Sequence, residues 1–293
     1  MIAAGSAAGS DRRYDAVMTW NSGELAPLKR FFSDNKARIA VLTGAGISAE
    51  SGIPTFRGPE GYWTVGSKVY MPQEMATLSM FRQEPLAVWQ WYLYRLGVCL
   101  HAEPNAGHYA LVRMEQKLDD RFGLITQNID NLHIRAGNSL QRTLQIHGNI
   151  NHTRCSVPCS AGLRLLPDAL KKHRTEQTLT ADEVRLLHCP ACGAWLRPHV
   201  LWFDEYYDEE FFRYESSMTL ANRTDLLIVV GTSGATTLPN QVALTVYNRG
   251  KTIVDINLEE NPFSELATNS PDGLFIRAAA ADALPQLALL CTS

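Results

Sequence analysis

Long apolar runs are missing from this chain. No stretch approaches the roughly 18 consecutive apolar residues that a membrane-spanning helix needs, so no membrane partner is expected. Excess charge is missing too: 27 Lys and Arg face 30 Asp and Glu, a net charge of −3. That leaves no electrostatic case for direct nucleic-acid binding, although a locally acidic groove would still suit a basic peptide. Cysteine is scarce, six in 293 residues, and uneven. Cys155 and Cys159 form one tight pair and Cys189 and Cys192 another, while Cys99 and Cys291 stand alone. A spread disulfide framework is thereby excluded, and the pattern points to a reducing compartment, read as cytoplasmic with a mitochondrial matrix as the other option. The opening MIAAGSAAGSDRR lacks the apolar centre of a secretory signal, and Asp11 and Asp15 speak against a transit peptide, so a disordered leader is expected.

What is present is a regular alternation. Near-continuous apolar runs at 37–46, 122–129, 143–148, 225–233 and 252–258 read as strands buried on both faces. Helical patterns at 107–121 and 238–250 lie between some of them. The expected fold is α/β: a doubly wound, Rossmann-like parallel sheet with a smaller zinc-binding and helical module inserted. The boundaries expected are a leader and first helix over 1–36, a cofactor-binding domain from 37–62, 104–150 and 201–293, a helical insertion over 63–103, and a cysteine-bearing part over 151–200.

The first strand runs into TGAGISAESG, where Gly44, Gly46 and Ala49 fit the G-x-G-x-x-G/A pattern of a dinucleotide turn. Glycines there permit a tight turn and close approach to pyrophosphate, and the helix that follows would offer free N–H groups. A hydride-transferring dehydrogenase would show a second strand about 20 residues on, ending in an acidic residue. The chain reads SGIPTFRGPEGYW instead, a punctuated loop that counts against that chemistry. Two strand ends concentrate polarity: Gln127-Asn128-Ile129-Asp130 and His147-Gly148-Asn149. The first also suits helix capping, and His147 suits a general base as well as an ordinary core histidine. Cys155, Cys159, Cys189 and Cys192 supply four thiolates, which fill a tetrahedral zinc and leave no open position, so that metal is structural. His152 and His188 are then superfluous.

GAGISAESGIPTFRG, PNAGH, TQNIDNLH, HGN, the paired cysteines, LRPHVLWFDE, GTS and INLE together resemble, in order, the sirtuins, over roughly residues 37–287. That resemblance implies an NAD-dependent protein-lysine deacylase that yields nicotinamide and O-acyl-ADP-ribose, with acyl-lysine proteins or peptides as partners. It implies His147 as the base that activates a ribose hydroxyl, with Asn128 and Asp130 beside it. The nicotinamide pocket would fall to Ala45, Ile53, Phe56, Asn128, Ile129 and Asp130, and the ribose also to Gln127. Gly44, Gly46, Ser48, Ala49 and Arg57 complete the cofactor loop. Gly231, Thr232 and Ser233 would line the phosphate side, Asn257, Leu258 and Glu259 the adenosine end, and Ala280 the adenine. Val200, Leu201, Trp202 and Phe203 would add a substrate peptide as an extra strand.

One charge remains to be placed. WQWYLYRLGVCL, residues 89–100, carries Arg95 in an otherwise apolar run. Pairing with Glu84 or snorkelling to solvent is one reading. The other is that Tyr92 and Arg95, three apart on one helix face, resemble the pair with which class III sirtuins hold the carboxylate of succinyl-, malonyl- or glutaryl-lysine. Thr55 resembles that subgroup as well, and acetyl groups remain acceptable substrates. Asp204 departs from the glycine common at its position, and the first cysteine pair has three intervening residues rather than two. NAD hydrolysis, mono-ADP-ribosyl transfer and a non-catalytic NAD-sensing module are the competing functions, and the oligomeric state is left open.

Overall fold

The computed structural model describes Gly23 and residues 25–55, 72–172 and 178–291. Phe56 and Arg57 therefore lie outside the described residues, as does most of the expected leader. The strands are β1 (Ile39–Thr43), β2 (Phe122–Thr126), β3 (Thr143–Gln145), β4 (Gly148–Cys155), β5 (Arg164–Leu165), β6 (Leu196–Val200), β7 (Leu226–Val230), β8 (Thr252–Asn257) and β9 (Leu274–Arg277). Six form one sheet in the order β3-β2-β1-β7-β8-β9, and its pairings are parallel.

Continuous apolar sequence becomes continuous burial here. Every residue of β1, β2 and β7 is buried, as two-sided helix cover requires. On one face, helices Ala106–Leu118 and Ala280–Leu289 set Leu111, Met114, Leu284 and Leu287 against Val41, Leu124 and Ile228. On the other, Thr237–Asn248 and Pro262–Asn269 set Val242, Val246 and Phe263 against Leu42, Ile125 and Val229. Helix starts follow local chemistry: Asn105 and Asn261 each close a capping box, and Pro262 occupies the first turn.

Chain order reverses beside β1, which has β2 on one side and β7 on the other. Open sheets of this kind hold ligands beyond the carboxyl ends of the strands at that point. From the end of β3 the chain passes through His147 into β4, which starts a separate antiparallel sheet ordered β5-β4-β6. Helices Leu78–Gln83 and Pro85–His101 lie against it, and their core holds Phe81, Val88, Trp89, Tyr92, Leu96, Leu187 and Trp202. Pro85 stands in the first turn of the longer helix.

Candidate active site

Three carboxyl ends of the large sheet are tied together by backbone. Gly44 N–H donates to the Val230 carbonyl at 2.9 Å, Gly46 N–H to Gly231 at 2.8 Å, and Gly231 N–H to Ile256 at 2.9 Å. A Cβ on Gly46 would come within 2.6 Å of the Gly231 Cα, so close approach of two turns is what requires glycine there. The segment after Gly44 is not the α-helix that the dinucleotide pattern predicts. It is a 3-10 helix, Ala45–Ser51, ended by Gly52 at φ +82°. Its side chains and carbonyls are engaged elsewhere: Asn105 Nδ2 donates to the Ile47 carbonyl at 2.8 Å, and Ser48 turns inward. Ala45 is half-buried and Ala49 exposed.

Beneath this turn sits a polar pocket. Ser48 Oγ donates to Asp130 Oδ2 at 2.7 Å, and Asn128 Nδ2 donates to Ser48 Oγ at 3.1 Å. The Leu132 N–H donates to Asp130 Oδ1 at 2.9 Å. Burial raises the Asp130 pKa, and the bonds from Leu132 and Ser48 oppose that rise. Gln127 Nε2 donates to Thr232 Oγ1 at 2.9 Å, and Asn257 Nδ2 donates to the Thr232 carbonyl at 2.9 Å. Gln127, Thr232 and Asn257 are thus one network, with Ser233, Leu258 and Glu259 exposed at its rim. Ile53 and half-buried Ile129 join the smaller core instead. Ala280 begins its helix buried in the larger core, and the next residue's N–H bonds to Glu50 of the 3-10 segment.

The two polar strand ends meet. Ile150 N–H donates to the Ile129 carbonyl at 3.0 Å, and Asn149 Nδ2 donates to Asn131 Oδ1 at 2.8 Å. His147 lies between them, half-buried. Gly148 has φ +85°, and a Cβ there would lie 2.1 Å from the His199 carbonyl oxygen, so only glycine lets the chain turn directly after this histidine. Burial lowers the His147 pKa to about 4, opposed by a hydrogen bond to the Gln127 backbone. The ring is therefore neutral near pH 7, with one nitrogen donating and the other accepting. Its Nε2 lies 2.8 Å from the Tyr207 hydroxyl. The sequence reading did not single out Tyr207: it sits in a run of aromatic and acidic residues beside Tyr206, which is 90% exposed.

Tyr92 and Arg95 share a buried helix face, with exposures of 1% and 4%. The guanidinium stands 4.6 Å from the Trp91 ring centre and 5.5 Å from that of Tyr92. Glu84 caps the start of this helix, eleven residues from Arg95. At 1.5 Å per residue that is roughly 16 Å along the axis, too far to pair. Trp202 Nε1 donates to the Tyr92 hydroxyl at 2.8 Å, joining this pair to the segment Val200–Phe203. Burial raises the Tyr92 pKa, so the phenol keeps its own proton to donate.

Within Leu201–Phe203 the donors are already used. The N–H of Leu201 bonds to His147, that of Trp202 to Glu205, and that of Phe203 to Ala76. Buried Arg197 fixes the segment with a fork onto Glu205 at 2.5 and 2.6 Å and a further bond to the Val200 carbonyl at 3.0 Å. Asp204 accepts the N–H groups of Leu78 and Ser79 at 2.7 and 3.0 Å, so it clamps the first turn of helix Leu78–Gln83. Arg197 and Glu205, like Tyr207, escaped the sequence reading, because a charge eight residues from its partner has no periodic signature.

The Sγ atoms of Cys155, Cys159, Cys189 and Cys192 lie within 4.8 Å of one another, with 3.4 Å between Cys155 and Cys192 and 3.7 Å between Cys159 and Cys189. Tetrahedral zinc with Zn–S of about 2.3 Å sets its sulfurs roughly 3.8 Å apart, so the donor set and its spacing fit that ion. Cys99 and Cys291 are apart from the cluster, and burial raises their pKa values to about 12 and about 11, leaving inert thiols.

The Sir2 family model matches residues 44–237. The chain is 38% identical over 255 residues to an "NAD-dependent protein deacylase" of Leptospira interrogans, covering 87% of this chain and 93% of that one. It superposes on a crystal structure of a Sir2 homolog–NAD complex with TM-score 0.73 at 32% identity, covering 91% of this chain and 93% of the other. It also superposes on a Sir2–p53 peptide–NAD+ structure with TM-score 0.71 at 27% identity, covering 90% and 96%.

Proposed function

The chain belongs to the Sir2 family, is an NAD-dependent protein deacylase with a structural zinc site, and, we propose, acts preferentially on lysines bearing acidic acyl groups: succinyl, malonyl and glutaryl. One observation carries that preference. A buried guanidinium and a buried phenol share one helix face, and the phenol is hydrogen-bonded to Trp202 of the substrate segment. A carboxylate at the far end of an acyl chain would meet two parallel N–H donors from Arg95 and the Tyr92 hydroxyl, the geometry in which arginine exceeds lysine. Acetyl-lysine also enters such a slot but offers the pair no carboxylate.

The residues fit NAD: a buried carboxyl, hydroxyl and amide lie under a glycine turn at the point where strand order reverses. Bound NAD supplies an ADP-ribosyl group on a nicotinamide leaving group, giving nicotinamide and O-acyl-ADP-ribose as products. Asp130, Ser48 and Asn128 would hold the carboxamide. His147 would take a ribose hydroxyl proton on Nε2, for which a neutral imidazole is required. Arg197 holds the substrate segment by its fork on Glu205.

Arg95→Met tests the preference. With one peptide carried as succinyl, malonyl, glutaryl and acetyl forms, kcat/KM on the acidic acyls should fall about a hundredfold, as loss of a charged hydrogen-bonded contact of about 2–3 kcal/mol gives. Deacetylation should change by no more than roughly threefold. Equal losses on all four would make Arg95 a purely structural residue.

A further inference from the structure

The Tyr207 hydroxyl occupies the accepting nitrogen of the histidine at the centre of the site. Nε2 and the hydroxyl oxygen are 2.8 Å apart, and the two ring centroids are 5.8 Å apart at 34°. An imidazole nitrogen has a single in-plane lone pair, so it accepts one strong hydrogen bond at a time. A hydrogen bond from the ring to the Gln127 backbone carbonyl raises its proton affinity, and with Nε2 facing Tyr207 that donor is assigned to Nδ1. The Tyr207 phenol keeps its proton, its pKa being raised to about 12 by burial, and with the ring's one N–H given to the Gln127 carbonyl the hydroxyl donates and Nε2 accepts. Thr236 Oγ1 stands beside the Tyr207 hydroxyl and donates to Gln127 Oε1 at 3.1 Å. Tyr207 is thereby joined to the network that also holds Thr232.

We propose that Tyr207 is a positioning residue for the deacylation reaction: it holds His147 as the Nδ1–H tautomer and occupies Nε2 until a ribose hydroxyl takes its place. The proposal rests on His147 being the base. Two consequences follow from the geometry. The base is presented in the form that can accept a proton, with its ring plane fixed from both sides. And Tyr207 must yield Nε2 to the cofactor, so its segment, Leu201 to Asp208, senses cofactor binding directly. That segment also carries Trp202, whose indole touches Tyr92, so a shift of Tyr207 reaches the acyl-recognition pair through a continuous stretch of chain. Among the described residues no charged side chain enters the balance on His147. Burial lowers its proton affinity and the Gln127 carbonyl raises it, which leaves the Tyr207 hydrogen bond as the contact a single substitution can remove.

Tyr207→Phe keeps the ring and removes the hydroxyl. The decisive readout is the His147 imidazole in the cofactor-free protein, followed by nitrogen-15 NMR across a pH titration, with its signals identified by their absence in His147→Ala. Freed of its donor, Nε2 should protonate more readily, and the apparent pKa should rise by roughly one unit. The acid limb of kcat/KM for NAD should move upward with it. An unchanged imidazole titration, with turnover reduced equally at every pH, would show that Tyr207 only supports its loop and would overturn the proposal. The premise is tested separately: a His147→Ala enzyme that turns over acyl peptide as fast as the parent would remove the base itself, whatever Tyr207 does.

Discussion

The two sheets of this molecule solve the same problem by different means. The six-stranded sheet is covered on both faces, and its central strands bury every residue. Its stability is the area term, about 25 cal/mol per Å² of apolar surface removed from water. The three-stranded sheet has an exposed two-residue edge, Arg164–Leu165, and draws on a few aromatic side chains, four thiols and the Arg197–Glu205 fork. Chemistry is divided along the same line. The large sheet presents backbone turns and a polar pocket, whereas the small one presents side chains: Tyr92, Arg95 and Trp202. A surface built from backbone at strand ends suits a cofactor that never varies. A surface built from helix side chains can be re-specified by one substitution without touching the sheet.

That contrast is broken most severely by taking the metal away. Structural zinc is worth about 10–16 kcal/mol in small peptides, and the thiols close β4 onto the turn that precedes β6. Chelation, or Cys192→Ser, should unfold the three-stranded sheet while amides of β1, β2 and β7 keep their protection in hydrogen exchange. Cofactor binding should weaken less than acyl-peptide binding. Loss of protection in both sheets together would show that they unfold as one unit.

Acid should weaken both parts, since burial lowers the pKa of His199 in β6 to about 3, and the large sheet carries a buried pair of its own. His108 and His133 lie fully buried with ring centroids 4.9 Å apart, and His133 Nε2 is 3.0 Å from the Thr43 hydroxyl. Burial lowers the His108 pKa to about 4 and holds that of His133 well below the ordinary range. The folded protein stays neutral at these rings while the unfolded chain takes up protons below about 6.5. Their contribution is therefore complete above pH 6.5 and is lost as the pH falls toward 4. For His108 alone the loss between pH 7.5 and pH 5 is about 2 kcal/mol. Urea melts at the two pH values should show it, and His108→Gln should remove about that much of the pH dependence. A variant with the full parental dependence would place the acid sensitivity elsewhere.

How much of this could be read from sequence follows the same division. Strands buried on both faces announce themselves as apolar runs, which is why β1, β2, β7 and β8 were legible, and the half-buried edge strand β3 was found from the run that leads to His147. β9 was not, because LFIR is short and only Ile276 is buried. The glycine turn was legible, but its continuation was not: 3-10 geometry there is imposed by Asn105 and Asp130, distant in sequence. His147 was legible because a glycine follows it, and Arg95 because a charge interrupts an apolar helix. Tyr207 carried no such mark, and Asp204 was marked only as a departure from glycine, with nothing to show its clamp on helix Leu78–Gln83. Their partners lie 60 and 126 residues away, and each sits in a polar run where neighbouring residues of the same type face solvent.

Asp204 gives the smallest effect and the sharpest test of how the two parts communicate. Its carboxylate spans the first two N–H groups of helix Leu78–Gln83, from a segment whose next elements belong to the large sheet. Acting as a second cap beside Thr77, it should contribute about 1 kcal/mol, the usual worth of a helix cap. Asp204→Gly removes both bonds and restores the residue common at that position among sirtuins. The melting midpoint should drop slightly and the KM for acyl peptide should rise severalfold, with kcat and the KM for NAD nearly unchanged. The clamp holds the segment that carries Trp202 against the small module and touches neither the glycine turn nor the polar pocket. If instead the KM for NAD moved as far as that for peptide, the Asp204 clamp would also set where Tyr207 stands against His147, and the coupling proposed for this segment would run from its first residues as well as from Tyr207.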